Sequence, residues 1–477
     1  MFRKMMASAL SALMLAGLCA CGRGGTEELV SHPIEDRPTV GQTIPVVETE
    51  DEAAQPVLPA ETADSADKLT ALCDDELYAH CGTEDGYYYI AEPSYEKDGA
   101  MRVYQDDPHI MYVDYATRQE VYLCSDAGCQ HDTEACSAVL SSDEFPLDST
   151  RIFVWNGKLY ALSREEDSEG GTSVEYVAIG EEGFAEVESR PAVLYRMNLD
   201  GSGREKVYTF ENGLTLEHNV YGDGSGIYFI AKRLSTERDG NASYTSASER
   251  MILRIDPDHG TVETVCDLNW DDGITWRTVG CADRGFVFEG VAGDVDYESE
   301  DWLSQYESTR MEWVYLDLDS GDRSEIYSVD NRNLSSSLMK DGLLYVSSDS
   351  DNTIYAIDPV GGDRAAVASL PQSYLLSTLG RYLCCVTWND PDDTLYFVDC
   401  TDGSVHSCPF TMERTGFLME LVESNSTDAI VIYDCEATSS GNGVYDVERY
   451  LLALIPIDDL VNGRATFQPI AMVGPGR

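Results

Sequence analysis

Residues 124–136 read CSDAGCQHDTEAC, which places Cys124, Cys129, His131 and Cys136 within thirteen positions. Three thiolates and one imidazole are the donor set of a tetrahedral zinc site, with expected bonds of about 2.3 Å to sulfur and about 2.0 Å to nitrogen. The same cysteines could instead form a disulfide, with sulfurs about 2.05 Å apart. A reactive thiol is a third chemistry, but His131 is the only base nearby and nothing else marks a catalytic pair. A local disulfide would strand one of three cysteines, and His131 sits two residues from Cys129, so one extended segment can offer both groups from one side. Those points favour metal. The C-x4-C spacing is looser than the C-x2-C of zinc fingers, and export favours oxidation; those points favour the disulfide. Both readings stay open on the sequence. Either would fold a segment with little core of its own.

Other chemistry is thinly supported. DLDSGDRSE (317–325) and SDSDNT (348–353) are acidic turns that do not meet the calcium-loop pattern. There is no phosphate-binding glycine loop, serine elbow or His-Glu-x-x-His helix. With 86 acidic residues, a pair of glycosidase carboxylates cannot be singled out. Cys384-Cys385 resembles the vicinal pair of quinoprotein propellers, but the recurrent tryptophan motif of that family is missing. Adjacent strand residues point to opposite faces, so these two thiols are expected to part company.

The elements that must carry these residues are strands. A Gly- or Asp-led apolar signal recurs as GYYYIA (86–91), GKLYAL (157–162), GIYFIA (226–231), GFVFEG (285–290), GLLYVS (342–347), GRYLCC (380–385) and AIVIYD (429–434). A second signal follows each, as in LYRMNLDGSGREKVY (194–208), ILRIDPDHGTVETVC (252–266) and IYAIDPVGGDRAAVA (354–368). Its grammar is strand, Asp, Gly-bearing turn, strand. The Asp side chain can cap the turn and glycine supplies positive φ, so each copy predicts an antiparallel hairpin. Seven paired signals predict an all-β propeller of seven blades, each of four antiparallel strands, over residues 77–475. The copies resemble the repeats of TolB-like and WD40-like propellers, at the level of the repeat pattern. TolB carries an α/β domain ahead of its propeller; here another kind of segment occupies that place, so TolB's partners are not carried over. Residues 164–191, 232–250 and 291–311 are long polar insertions inside early blades, where recognition loops are commonly found.

The N-terminus predicts location. Arg3 and Lys4 precede an apolar run over 5–18 that is too short to span a bilayer, which reads as an export signal over residues 1–20. The junction Leu18-Cys19-Ala20-Cys21 resembles the bacterial lipobox. That resemblance implies that Cys21 receives a diacylglycerol thioether and anchors the chain on the extracytoplasmic face of the bacterial cell membrane. Between Thr26 and Glu76 the only basic residues are Arg37 and Lys68, and apolar periodicity is weak. Residues 21–76 are therefore expected to form a disordered acidic tether.

The chain carries 86 Asp and Glu against 32 Lys and Arg, a formal net charge of −54. Such a surface repels nucleic acid and excludes it as a partner. It suits cationic partners, divalent metals or neutral polymers, and it keeps an exported protein soluble by self-repulsion. The expectation is a lipid-anchored binding or scaffolding module for a protein or glycan ligand, with zinc as the candidate cofactor. The alternative is a propeller hydrolase or lyase acting on envelope or dietary glycans.

Overall fold

The structure is a computed structural model that describes residues 68–473, except 74–79, 92–94, 99–100, 105–107, 127, 141–144, 146–149, 164–173, 179–183, 189–190, 212, 240–241, 271, 294, 296–298, 300, 331–334, 349–350, 372, 388–393, 409 and 442–443. The expected signal peptide, Cys21 and most of the tether lie outside the described residues.

Seven antiparallel sheets follow one another along the chain, over 80–122, 151–209, 214–267, 276–330, 335–369, 373–408 and 420–469. Numbered I to VII, each is a blade of four consecutive strands, a to d. Every predicted apolar signal is a b strand, and every predicted hairpin is a c–d pair. The a strands converge on a common axis, shown by contacts between those of blades I and II, IV and V, V and VI, and VII and I.

Burial closes the ring. Each b and c strand sends alternate side chains into the seams on its two sides, the period-2 rule of the pleat. Seven apolar clusters result, one per seam. Phe153 and Leu162 of blade II meet Phe229 and Ile255 of blade III, and so on to the closing seam, where Tyr87, Tyr89 and Met111 of blade I meet Ile430, Ile432 and Leu454 of blade VII. Cys384 packs toward blade VII and Cys385 toward blade V, so the adjacent cysteines do part company. Among the described residues, no blade borrows a strand from the opposite end of the chain. The C-terminal segment instead crosses the last seam, with Ala471 bridging to Gln119 on the outer strand of blade I.

Blade III has a fifth strand. Thr70–Cys73 pairs antiparallel with the a strand Leu214–Gly222 on its axial side, with Thr70 opposite Gly222 and Cys73 opposite Val220. Leu69 is buried in the III–IV seam and its amide donates to the Asp283 carbonyl at 2.8 Å. The folded body thus begins ahead of residue 77, inside the stretch whose composition reads as tether.

Adjacent strands run in opposite directions, so the b–c and d–a connections emerge at the same end of the ring. The large insertions are all of these kinds. Blade I carries a hairpin of Tyr95–Asp98 and Met101–Tyr104, and blade II one of Val174–Ala178 and Phe184–Glu188. Blade III prolongs b and c into Ile227–Asp239 and Ala242–Asp256, and blade VII into Asp428–Gly441 and Val444–Pro456. Blade IV inserts the short helix Trp302–Glu307. Blades V and VI pass from b to c over 349–352 and 388–394. Among the described residues, five neighbouring blades, VII to IV, therefore carry projections on one end.

Candidate metal centre

The Cys/His segment is an excursion from the outer strand of blade I. That strand, Gln119–Tyr122, runs beside the c strand His109–Asp114 and leaves it at Leu123, whose amide donates to the Ile110 carbonyl at 2.9 Å. The chain returns at Ala138–Leu140 and takes the vacated lane. Ile110 N donates to Ala138 O at 2.8 Å, Leu140 N to Pro108 O at 2.9 Å, and His109 bridges to Val139.

Inside the excursion, local turns set the ligands. Gly128 N donates to Asp126 Oδ1 at 2.9 Å and Cys129 N to Asp126 O at 3.1 Å. Cys136 N donates to Thr133 O at 2.9 Å. His131 has φ 59°, the left-handed region that a side chain adopts at a cost of about 1–2 kcal/mol. The strained backbone brings its amide to 3.4 Å from Cys129 Sγ and its Nδ1 to 3.3 Å from Cys136 Sγ. One donor atom from each of Cys124, Cys129, His131 and Cys136 lies within 4.8 Å of all the others. A tetrahedron with 2.3 Å bonds has edges of about 3.8 Å, so the widest pair needs only a small contraction to close on an ion.

All three cysteines are free thiols. Burial works against ionisation at Cys124, but the Asp126 amide and the Cys136, Ser137 and Cys129 groups outweigh it and hold the thiol below its ordinary range. Burial pushes Cys136 up. Within the set, Cys124 is thus favoured as a thiolate while Cys136 resists the charge.

The packing around the set is thin. Its buried apolar residues are Cys136, Ala138 and Val139, with Tyr122 against them. Three small buried side chains offer little apolar burial to offset the ordering of a segment this long, and a metal bond network would add to what the turns supply. The four donors exhaust a tetrahedral ion, so the arrangement suits a structural metal rather than one with an open catalytic position.

Three contacts were invisible in the sequence. His131 stacks on Tyr122 with ring centroids 4.4 Å apart. Its carbonyl accepts from His109 Nε2 at 2.7 Å, and the His109 ring meets the Tyr122 edge at 5.2 Å. The aromatic two residues before the first ligand was the one available signal for Tyr122; nothing marked His109.

The ring axis offers different chemistry. A cavity of about 190 Å³ is lined by Ala71, Leu72, Cys73, His80, Cys81, Gly82 and Glu423. His80 Nδ1 lies 3.5 Å from Glu423 Oε2 across the closing seam. Between blades III and IV, Glu217 accepts from Arg250 Nη2 at 2.7 Å and Thr278 Oγ1 at 3.0 Å, and pairs with Lys232 at 3.1 Å. Burial opposes the Glu217 charge, yet Arg250 and Lys232 hold its carboxyl below the usual range. Asp223 is also held down: burial opposes its charge, and the Ser225 amide and the Tyr228 hydroxyl outweigh it.

The sequence matches no family model and no curated protein. Among solved structures, the chain is similar to a puromycin hydrolase at 12% identity and TM-score 0.43, over 84% of this chain and 55% of that one. It is similar to an oligogalacturonate lyase in complex with manganese at 12% identity and TM-score 0.36, over 68% of this chain and 84% of that one. TolB from Acinetobacter baumannii matches at 13% identity and TM-score 0.28, over 78% of this chain and 77% of that one. The chain spans little more than half the length of the puromycin hydrolase. These likenesses are of fold alone, and the seven-bladed ring rests on the strand pairing described above.

Proposed function

We propose that this protein is a lipid-anchored β-propeller on the extracytoplasmic face of the bacterial cell membrane, binding or scaffolding a protein or glycan ligand, with zinc at Cys124, Cys129, His131 and Cys136. One observation carries the binding reading. Among the described residues, the projections of blades VII, I, II, III and IV, together with the Cys/His excursion, emerge at one end of the ring. Unconstrained drift would scatter insertions over both ends and all blades. A one-sided crescent on a rigid array is the form of a recognition surface. Zinc is the ion that a closed set of three thiolates and an imidazole favours.

The test uses the full chain with Cys21→Ser, so that it is soluble, as bait in envelope extracts. A captured ligand should be lost when 235–246, the tip of the blade III hairpin, is deleted. It should be retained when Ser320, at the c–d turn on the opposite end, is changed to Ala. Equal capture by all three proteins would remove the crescent from the account.

A second reading, a glycan hydrolase or lyase, is favoured by the axial cavity where His80 and Glu423 face each other. The described carboxylates with shifted pKa, Glu217 and Asp223 among them, are held low, which suits fixed anions better than proton donors. Turnover of an envelope or plant glycan by the same protein, abolished by His80→Gln, would establish the enzyme.

A further inference from the structure

We infer that metal at the Cys/His excursion acts as a latch, whose occupancy holds the start of the strand that follows the blade I hairpin and the contact between the excursion and the turn of blade II. The inference rests on the reading of Cys124, Cys129, His131 and Cys136 as a metal site. It adds that the ion governs elements outside the thirteen-residue loop.

The connections are specific. His131 Nδ1 faces the sulfurs, and binding there would fix the ring and with it the strained residue that carries it. The His131 carbonyl receives the His109 Nε2 proton at 2.7 Å. His109 opens the c strand of blade I, directly after the hairpin Tyr95–Asp98 and Met101–Tyr104. Tyr122 lies between the two imidazoles, stacked on one and edge-on to the other. The far side of the excursion reaches blade II. Arg204 Nη1 donates to Val139 O at 2.9 Å, and a Cβ on Gly201 would stand 2.3 Å from Leu123 O. The turn of blade II over 198–204 is thus seated on the two points where the excursion leaves and rejoins the sheet.

Without an ion, three half-buried or buried thiols and a left-handed histidine are held by weak turns and a three-residue core. Release of His131 frees its carbonyl from His109, and Val139 loses its fixed position under Arg204. The other six seams keep their packing, because none of their clusters includes a residue of the loop. A metal-dependent projection within the crescent follows, and ligand binding there would depend on the ion.

Hydrogen exchange by mass spectrometry tests this on the full Cys21→Ser chain, zinc-loaded and after chelation, with native mass spectrometry recording the zinc. Chelation should speed exchange by about tenfold or more at 95–104, 109–113 and 198–205, and leave blade VI (382–399) unchanged. A second protein, His109→Phe, keeps the ring but not the hydrogen bond. It should retain one zinc and yet show the faster exchange at 95–104. If zinc binds and leaves but only 124–137 responds, the latch is wrong and the zinc site stands. If no zinc binds, both fall. If every blade responds, the ion holds the whole ring and the local latch is wrong. Unchanged protection in zinc-bound His109→Phe would remove the carbonyl–imidazole tie.

Discussion

At the scale of single residues, the c–d turns show how one position can be strained by conformation and another by space. In blades III to VI the Asp ending strand c accepts the amide two residues on: Asp256 from Asp258, Asp317 from Asp319, Asp358 from Val360 and Asp399 from Thr401. The amide four residues on donates to the same residue's carbonyl, and there the chain is left-handed, at Gly260, Gly321, Gly362 and Gly403. In blade I the equivalent position is Arg118, with φ 56°. Gly321→Ala meets nothing within 4 Å, so it should cost only the left-handed strain, about 1 kcal/mol. Gly403→Ala would also put a Cβ 2.0 Å from the Val367 carbonyl, and should cost about 3 kcal/mol or more. Urea unfolding of the two variants measures the difference. Glu217 belongs to the same scale. Its carboxyl is held below its ordinary value of 4.5, so the stability it adds is present above that pH and is lost as the pH falls through its lower folded value. Glu217→Gln should lose stability at pH 7, by about 3 kcal/mol for a broken buried pair, and should show a shallower acid limb below pH 4.5 than the parent. Parallel acid limbs would mean that Glu217 does not report on folding.

At the scale of elements, the closing seam differs from the other six. Elsewhere the chain passes covalently from one blade to the next; between VII and I it does not. The segment after the last strand supplies the link: Glu120 N donates to Ala471 O at 2.9 Å and Ala471 N to Arg118 O at 3.0 Å. Val473 N donates to Glu120 Oε2 at 2.7 Å, and Tyr89 donates to the other oxygen of the same buried carboxylate. Removing residues 471–477 deletes three of these bonds and strips one partner from a buried charge. It should lower stability by about 3 kcal/mol. Faster hydrogen exchange at 86–91 and 429–434 than at 342–347 would place the damage at the seam. Uniform exchange would show that the apolar cluster closes the ring unaided.

At the scale of the whole molecule, the proposed location rests on the net charge of −54 and the resemblance of 18–21 to a lipobox. An acidic body would stand off an anionic membrane surface, and a lipid on Cys21 would keep it there. Cys21→Ser should move the protein from the membrane fraction to the soluble one. Membrane retention with attached lipid would reject the anchor. Thr70–Cys73 bears on this arrangement, because the chain ahead of residue 77 is threaded along the axis beside blade III.

The b and c strands were legible because they bury both faces in the seams, and a doubly buried strand must be apolar along its length, as GYYYIA and GLLYVS are. The Asp and Gly of their turns were legible because the turn itself demands them. The a strands were not. Ser335–Lys340 and Glu420–Ser424 line the axis, where polar side chains are tolerated, and their composition resembles that of loops. Thr70–Cys73 was hidden for the same reason, since its strand character comes from the edge that blade III offers and not from its own four residues. The four donors of the Cys/His segment were evident by residue type, because few side chains bind a soft cation. Their convergence, the return of Ala138–Leu140 into the lane of the outer strand and the contact of His131 with His109 were decided by the tertiary structure alone. Donor chemistry is carried by the residue, whereas what a donor touches depends on strands paired across the sheet.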